Sequence, residues 1–202
     1  MIDPEAVLSF WFEPRATTKE GADLLGKRWF NGGKELDVEI DRRFRQAISA
    51  ARSGELDAWE GSARGTLALL LLLDQYPRNV FRNHADSFAS DAQALALVRR
   101  AIAGGVLDAF EVPERLFFAL PFSHAEDLEA QKTAVAMVER LVFVTSSLWE
   151  GFVVGGVDFA RKHLDVIARF GRFPHRNETL GRVSTPEELE YLAYLKRVGQ
   201  WL

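Results

Sequence analysis

Apolar residues recur every three or four positions along most of this chain, which is the spacing of one face of an α-helix. The segment from Lys34 to Ser53 illustrates the pattern, since its charged residues fall on the opposite face. Its apolar positions are Leu36, Ile40, Phe44, Ala47, Ile48 and Ala51. No stretch alternates apolar and polar residues in the manner of a β-strand. The pattern therefore predicts an all-α protein of about eight helices.

Capping residues, prolines and glycines set the expected bounds of these helices. The predicted helices run from Pro4 to about Phe12, Lys19 to Phe30, Lys34 to Ser53, Ser62 to Leu73, Ser87 to Ala103, Pro113 to Leu120, Ser123 to Val142, Asp158 through His163, and Pro186 to about Val198. Pro121 is expected to end one of them, because a proline inside a helix removes a backbone hydrogen bond. Gly151, Gly155 and Gly156 are expected to form a loop.

The segment from Leu67 to Leu73 is apolar on every side, which is typical of a helix buried in the middle of a protein. It is followed directly by Asp74. A carboxylate at the C-terminal end of a buried helix faces the negative end of the helix dipole and loses its hydration. Both effects raise the cost of its charge. We therefore expect Asp74 to pair with Arg78 or with an arginine of the later turn between His163 and Arg182.

Length and composition narrow the class of protein. A chain of 202 residues fits one domain spanning residues 1–202, and its net charge of −4 disfavours nucleic-acid binding. The longest apolar run is far shorter than the roughly 20 residues of a membrane span. The absence of cysteine excludes disulfides, thiolate metal sites and cysteine nucleophiles. The acidic N-terminus lacks the basic residues of a signal peptide, so we expect a soluble cytoplasmic protein.

Groups able to do chemistry concentrate in two turns. The first reads L-D-Q-Y-P-R-N-V-F-R from Leu73 to Arg82, and the second lies between His163 and Arg182 and contains F-G-R-F-P-H-R-N. Both contain an aromatic residue, a proline and an Arg-Asn pair. Together they carry the arginines Arg78, Arg82, Arg169, Arg172, Arg176 and Arg182.

These arginines have two possible roles. Planar guanidinium groups bind carboxylates and phosphates through two parallel hydrogen bonds, so two arginine-rich turns brought together would form an anion pocket. The alternative is internal, with the arginines tying loops to acidic side chains. The acids considered for those ties are Asp74, Asp86, Asp165 and Glu178. Asn79 and Asn177 would bind the ligand in the first case and shape the turns in the second.

Two histidines are candidates for acid–base chemistry. His163 falls on an apolar stripe of its predicted helix, where burial depresses the pKa of an imidazole and makes it a base near neutral pH. The alternative is a core histidine hydrogen-bonded to a carboxylate or a carbonyl. The segment Ser123–Glu126 has capping-box spacing, which predicts that His124 lies in the first turn of a helix, where the dipole favours the neutral imidazole. Glu126 and Asp127 lie beside it.

Familiar cofactor and metal motifs are missing. His124 with Glu126, and His163 with Asp165, are each two residues apart and do not face each other on a helix, which disfavours a metal site. The chain has no G-x-S-x-G elbow, H-E-x-x-H pair or dinucleotide fingerprint. We therefore expect no metal and no cofactor.

Four segments together carry a family resemblance. They are F-W-F at 10–12, L-D-Q-Y-P-R-N at 73–79, P-F-S-H-A-E-D at 121–127 and F-G-R-F-P-H-R-N-E-T-L-G-R at 170–182. The chain resembles domain-of-unknown-function family 924 over nearly its whole length. The resemblance implies an all-α, tetratricopeptide-like array of antiparallel helix pairs, and it implies no reaction. Matching positions are Asp74, Gln75, Pro77, Arg78, Asn79, His124, Glu126, Asp127, Phe170, Gly171, Arg172, Pro174, Arg176 and Asn177.

Two functions follow from these observations. In the first, a pocket binds a small carboxylate or phosphate, with His163, His124 and Asp74 in acid–base roles. Its ligand-binding residues would be Arg78, Asn79, Arg172, His175, Arg176, Asn177, Glu126 and Asp127. In the second, a concave helical face binds an acidic peptide. The first is favoured, because the polar residues concentrate in two turns instead of spreading along a helix face.

The sequence leaves the oligomeric state open between a monomer and a homodimer. Trp11, Phe12 and Trp201 are candidates either for the core or for contacts within a dimer.

Overall fold

The helical spacing of the sequence is realised as a succession of α-helices in the computed structural model, which describes residues 2–199. The helices are α1 (Pro4–Phe12), α2 (Lys19–Asn31), α3 (Gly33–Arg52), α4 (Ala63–Leu73), α5 (Gln75–Val80), α6 (Asp91–Ala103), α7 (Val112–His124), α8 (Leu128–Val142), α9 (Glu150–Phe170) and α10 (Pro186–Val198). Residues 2–199 contain no β-strand, and none of their helices is long and apolar enough to span a membrane. The all-α prediction is confirmed, whereas the tetratricopeptide-like array stays a prediction.

Side-chain caps explain where several helices begin, because the free N–H groups at a helix start need acceptors. Asp3 accepts a hydrogen bond from the Ala6 N–H at 2.8 Å, and Ser62 accepts one from the Gly65 N–H at 3.0 Å. At α10, Thr185 and Glu188 each accept from the other's backbone N–H, which forms a capping box. The predicted starts of α1, α4 and α10 are confirmed.

Helix α4 lies in the middle of the core, as its apolar sequence predicts. Residues 65–73 are all buried, and α4 packs against α1, α3, α6 and α7. The rings of Trp11 and Phe12 meet Phe117 edge-on, with centroids 6.0 and 5.3 Å apart. Both residues are buried, so they belong to the core. Trp201 lies outside the described residues.

Pro121 does not end its helix, contrary to the prediction. Helix α7 continues through it to His124, because the buried side chains around the proline stabilise the helix enough to outweigh one missing hydrogen bond. Ser123 and His124 therefore form the last turn of α7 and not a capping box. The cap of α8 is Asp127, whose Oδ1 accepts from the Ala130 N–H at 2.7 Å.

The three glycines predicted to form a loop lie inside α9. Gly156 faces the neighbouring helices, where an added Cβ would lie 3.2 Å from the Leu116 side chain and 3.3 Å from Val138. A glycine there permits close approach of α9 to α7 and α8. Gly151 and Gly155 face open space. Packing of the long amphipathic helix thus overrides the weak helix propensity of glycine.

Two other predicted helix starts are also wrong. Helix α9 begins at Glu150, so Asp158 lies inside it and is not its cap. Helix α6 begins at Asp91 and not at Ser87. Ser87 instead closes a short 3₁₀ turn, in which its hydroxyl donates to the His84 carbonyl at 2.7 Å. This shift places Asp91 at the start of α6, beside the candidate site.

Candidate functional site

The two basic turns meet at a cavity of about 640 Å³. Six of the predicted site residues line it, namely Arg78, Asn79, His124, His163, His175 and Arg176. Further polar lining comes from Asn31, Gln75, Arg82, Asn83 and Ser87, and aromatic lining from Trp29, Phe30, Phe88 and Phe159. No carboxylate of residues 2–199 lines the cavity. The walls are therefore rich in cationic and amide donors.

Asp74 lies behind this lining, with 1% of its surface exposed. Its Oδ1 is 3.2 Å from Nη1 of Arg78 and 2.8 Å from Nδ1 of His124, and Gln75 donates to its other oxygen. Burial acts to raise the pKa of Asp74, but Arg78, His124 and Gln75 together hold it below its usual range. The carboxylate is thus ionised, and the predicted pairing of Asp74 with an arginine is confirmed.

Arg78 and Arg176 share a second carboxylate, that of Asp91. Arg78 donates to both Asp91 oxygens at 2.9 and 3.1 Å, and Nη1 of Arg176 lies 3.3 Å from Oδ2. Asp91 comes from α6, whereas the arginines come from α5 and from the turn after α9. Asp91 was not among the predicted site residues. An acidic residue at the start of a helix could have pointed to Asp91, but this helix was predicted to start at Ser87 instead.

His124 lies in the last turn of α7, not in the first turn of a helix as predicted. Because a carboxylate can only accept, Nδ1 of His124 must donate to Asp74. Burial and the nearby Arg78 lower the pKa of His124, despite the opposing effect of Asp74. The imidazole is therefore neutral near pH 7, with its proton on Nδ1 and a free lone pair on Nε2.

His163 has the same tautomer for a different reason. Its Nδ1 lies 3.0 Å from the carbonyl oxygen of Phe159, one turn earlier in α9, so Nδ1 carries the proton. Burial lowers the pKa of His163 to about 3. The residue thus satisfies the core-histidine interpretation, with a carbonyl partner, and also lines the cavity. The core-histidine interpretation is confirmed, whereas a pKa of about 3 makes His163 a weak base near neutral pH.

Arg176 is the most unusual group of the cavity. Only 6% of it is exposed, and its Cζ lies 4.5 Å from the ring centroids of both Phe88 and Phe173. Its Nη1 donates to the His124 carbonyl at 3.1 Å, but its buried Nε has no hydrogen-bond partner among the described residues. Burial lowers the pKa of Arg176 to about 10, which leaves it charged near pH 7.

His175 completes the cavity wall. Its buried Nδ1 also lacks a hydrogen-bond partner within residues 2–199. Burial and the adjacent Arg176 lower the pKa of His175 to about 4. Two residues of the lining, His175 and Arg176, therefore each have a buried nitrogen without a hydrogen-bond partner within residues 2–199, and unsatisfied buried groups of this kind are rare in native proteins.

Four predicted ligand-binding residues do not line the cavity and have internal partners. Arg172 donates to both Glu188 oxygens at 2.7 and 2.8 Å, and Asn177 donates to Glu188 at 3.2 Å. Glu126 accepts from the Phe173 N–H at 2.7 Å and pairs with an arginine. Asp127 caps α8. These contacts fit the alternative of internal ties.

The predicted partners of the arginines were mostly wrong. Of the acids Asp74, Asp86, Asp165 and Glu178, only Asp74 forms an ion pair with an arginine among the described residues. The observed pairs join Arg82 to Asp37, Arg169 to Glu187, Arg172 to Glu188 and Arg182 to Glu126. Within residues 2–199, no group of three or more His, Asp or Glu side chains is arranged to hold a metal ion.

The burial of His163 implies a loss of stability in acid. Its pKa is about 3 in the folded protein against 6.5 ordinarily, so the unfolded chain binds the proton first and stability falls as the pH drops below 6.5. Glutamine at position 163 cannot take up this proton. Between about pH 7 and about pH 5 we therefore expect the free energy of unfolding of His163→Gln, measured with urea, to fall by about 2 kcal/mol less than that of the wild type.

His84 provides the matched control for this experiment. Its side chain is 68% exposed, so His84→Gln should lose as much stability in acid as the wild-type protein. If His163→Gln were just as acid-sensitive as the wild type, the proposed neutrality of the buried imidazole would be wrong.

Comparisons with known proteins agree with this architecture. A solved structure of a protein of unknown function from Agrobacterium tumefaciens is similar to this chain, with a TM-score of 0.79 and 39% sequence identity over 94% of this chain and 96% of that one. No curated protein matches significantly. The profile of a bacterial family of unknown function, DUF924, matches residues 7–195, a range that includes both turns of the cavity. The chain belongs to the DUF924 family.

Proposed function

We propose that the cavity binds a small organic anion, a carboxylate or a phosphate. The observation that carries this proposal is Arg176, a buried and charged guanidinium at the cavity wall whose Nε has no partner among the described residues. An unsatisfied buried donor costs about 1–3 kcal/mol, and more when it is charged. An anion in the cavity would face the neighbouring guanidinium groups of Arg176 and Arg78, and its charge would offset the cost of burying one cation beside the other.

The surrounding groups fit an anion better than a cation or a neutral ligand. Arg78 and Arg82 line the same cavity, and the amides of Asn31, Asn79 and Asn83 add donors that suit carboxylate or phosphate oxygens. Asp91 and Asp74 neutralise part of the arginine charge from outside the lining. An entering anion therefore meets donors and, among residues 2–199, no facing carboxylate.

His124 is the best candidate for proton transfer in this cavity. Asp74 fixes its tautomer through the 2.8 Å contact at Nδ1, which leaves the Nε2 lone pair as an acceptor. A buried carboxylate that orients a histidine in this way is a recurring arrangement in general-base catalysis. We assign His124 the role of base toward a hydroxyl or water beside the bound anion.

Burial of the lining favours a pocket over a peptide groove. His124, His163 and Arg176 are all buried, whereas a groove for a tetratricopeptide-type partner would present such side chains on an open helix face. Binding of an acidic peptide is retained as the competing outcome of the experiment.

Anion binding is expected to strengthen in mild acid. The pKa values of His163 and His175 are about 3 and about 4, and a bound negative charge raises them, so the complex binds more protons than the free protein. Affinity should increase by up to about tenfold per pH unit for each proton taken up. The dissociation constant of lactate, measured between about pH 7 and about pH 5, checks this. An affinity that is constant or falls in acid would contradict it.

A thermal-shift screen tests the proposal itself. The probes are acetate, lactate, inorganic phosphate and an acidic peptide, each compared with sodium chloride at the same ionic strength. Binding at about 100 times the dissociation constant adds about 2.7 kcal/mol of stability, which produces a measurable rise in Tm. We expect a small carboxylate or phosphate to stabilise the protein. Stabilisation by the peptide alone, or by none of the probes, would overturn the proposal.

A further inference from the structure

A second cavity, of about 300 Å³, adjoins the cationic one. Its walls are Leu116 and Leu120 of α7, Val138 of α8, and Phe152 with glycines of α9. The two cavities share Phe30 and Phe159 in their linings. A cationic chamber and an almost entirely apolar one therefore meet across two aromatic rings.

Glycines of α9 keep the apolar cavity open. Gly151 and Gly155 line the cavity and are exposed to solvent, and a Cβ added at either position would meet no atom within 4 Å. Gly156 differs, because the side chains of Leu116 and Val138 occupy the space that a Cβ at this position would need. Glycine in a helix interior destabilises the helix relative to alanine. Close packing against a neighbouring helix gives no reason for Gly151 and Gly155, both of which are exposed and line the cavity.

We propose that the ligand is an amphiphilic anion with a single aliphatic chain, whose charged head lies among Arg78, Arg176 and the histidines and whose chain lies in the apolar cavity. This inference rests on the proposed anion binding and adds the class of ligand to it. Aliphatic walls attract a hydrocarbon chain and give water no hydrogen bonds, and apolar cavities of this kind bind apolar molecules. The shared Phe30 and Phe159 join the two parts of the site.

Straight-chain carboxylates of increasing length test the class of ligand. Acetate, butyrate, hexanoate and octanoate have the same head, so their affinities differ only through the chain. Each buried methylene is expected to tighten binding about fourfold until the cavity is filled. Octyl phosphate compares the two head chemistries, and octanol, which lacks the charge, is expected to bind far more weakly than octanoate.

Gly155→Leu tests the location of the chain, because Gly155 lines the apolar cavity and a Cβ added there would meet no atom within 4 Å. We expect octanoate to bind this variant no more tightly than acetate does, while acetate binds it as it binds the wild type. Val154→Leu is the matched control, since Val154 lies on the same helix and is 46% exposed. Gly155→Ala separates the effect of helix propensity from that of cavity filling.

The outcomes distinguish this inference from the anion proposal. If acetate and octanoate bind wild-type protein with equal affinity, the apolar cavity is not part of the site and only this inference fails. If octanoate binding depends on Gly155 but not on Arg176, the cavity takes hydrocarbon without a charged head, and the amphiphilic ligand is wrong. If neither the carboxylates nor inorganic phosphate nor octyl phosphate binds, both proposals fail.

Discussion

Replacing Arg176 by glutamine is expected to weaken the binding of lactate or inorganic phosphate about 10- to 100-fold. The change removes a buried guanidinium whose Nε has no partner within residues 2–199, and it leaves a polar side chain in its place. A hydrogen bond to a charged group contributes about 1.5–3 kcal/mol, and each 1.4 kcal/mol corresponds to about a tenfold change in affinity. Calorimetric titration of both proteins measures the difference.

Two further variants make this result interpretable. Arg169→Gln removes the same charge at a side chain that is 52% exposed and paired with Glu187, so its affinity should equal that of the wild type. Arg176→Lys retains the charge that faces Asp91 and lacks the planar set of donors, so we expect it to fold and to bind several-fold more weakly. A folded Arg176→Gln protein with wild-type affinity would show that the anion does not bind at Arg176.

Asp74→Asn is expected to lower the free energy of unfolding by about 3–5 kcal/mol, which is the usual effect of removing one partner of a buried ion pair. Asp74 is almost fully buried and contacts Arg78, His124 and Gln75. Asparagine has nearly the same shape, so the loss would come from charge and hydrogen bonding. Arg78 would keep one carboxylate partner, that of Asp91, and His124 would exchange a charged acceptor for the neutral oxygen of an amide.

Asp37→Asn is the control for this change. Asp37 pairs with Arg82, whose side chain is 53% exposed, so solvent compensates for the lost pair and we expect a cost below about 1 kcal/mol. Urea unfolding of the three proteins at neutral pH provides the comparison. Equal costs for the two variants would mean that Asp74 is not an essential counter-charge of the cavity.

The pairing of Asp74 could be predicted from the sequence because its causes are local. An apolar segment that ends in a carboxylate sets a buried charge against a helix dipole, and Arg78 lies one turn further along the chain. The starts of α1, α4 and α10 were predictable for the same reason, since a cap involves residues within three or four positions.

The position of His124 could not be predicted from local rules. Pro121 is normally a strong sign that a helix ends, yet the buried neighbours of α7 keep the helix intact to His124. The residue therefore lies at the C-terminal end of one helix and not in the first turn of the next. The loop predicted at Gly151 and Gly155 was wrong for the same reason, because packing along α9 overrides their weak helix propensity.

The division of the basic turns into cavity and scaffold depends on distant contacts. Arg172 and Arg176 are only four residues apart in the sequence. Arg172 nevertheless pairs with Glu188, whereas Arg176 faces Asp91, which is 85 positions away from it. Glu126 and Asp127 are residue types that are common in functional sites. In this structure Glu126 instead ties two segments of the chain together, and Asp127 caps a helix. Composition alone does not separate these roles, because both use the same side chains.

The chain contains four histidines, and this makes a direct measurement possible. Three of them, His124, His163 and His175, line the cavity, and the exposed His84 does not. Nitrogen NMR spectra of the imidazole rings report their tautomers and protonation while lactate is added at constant pH. We expect the three cavity signals to move saturably while the His84 signal stays unchanged. If all four signals moved together, or if none moved, the cavity would not be an anion site.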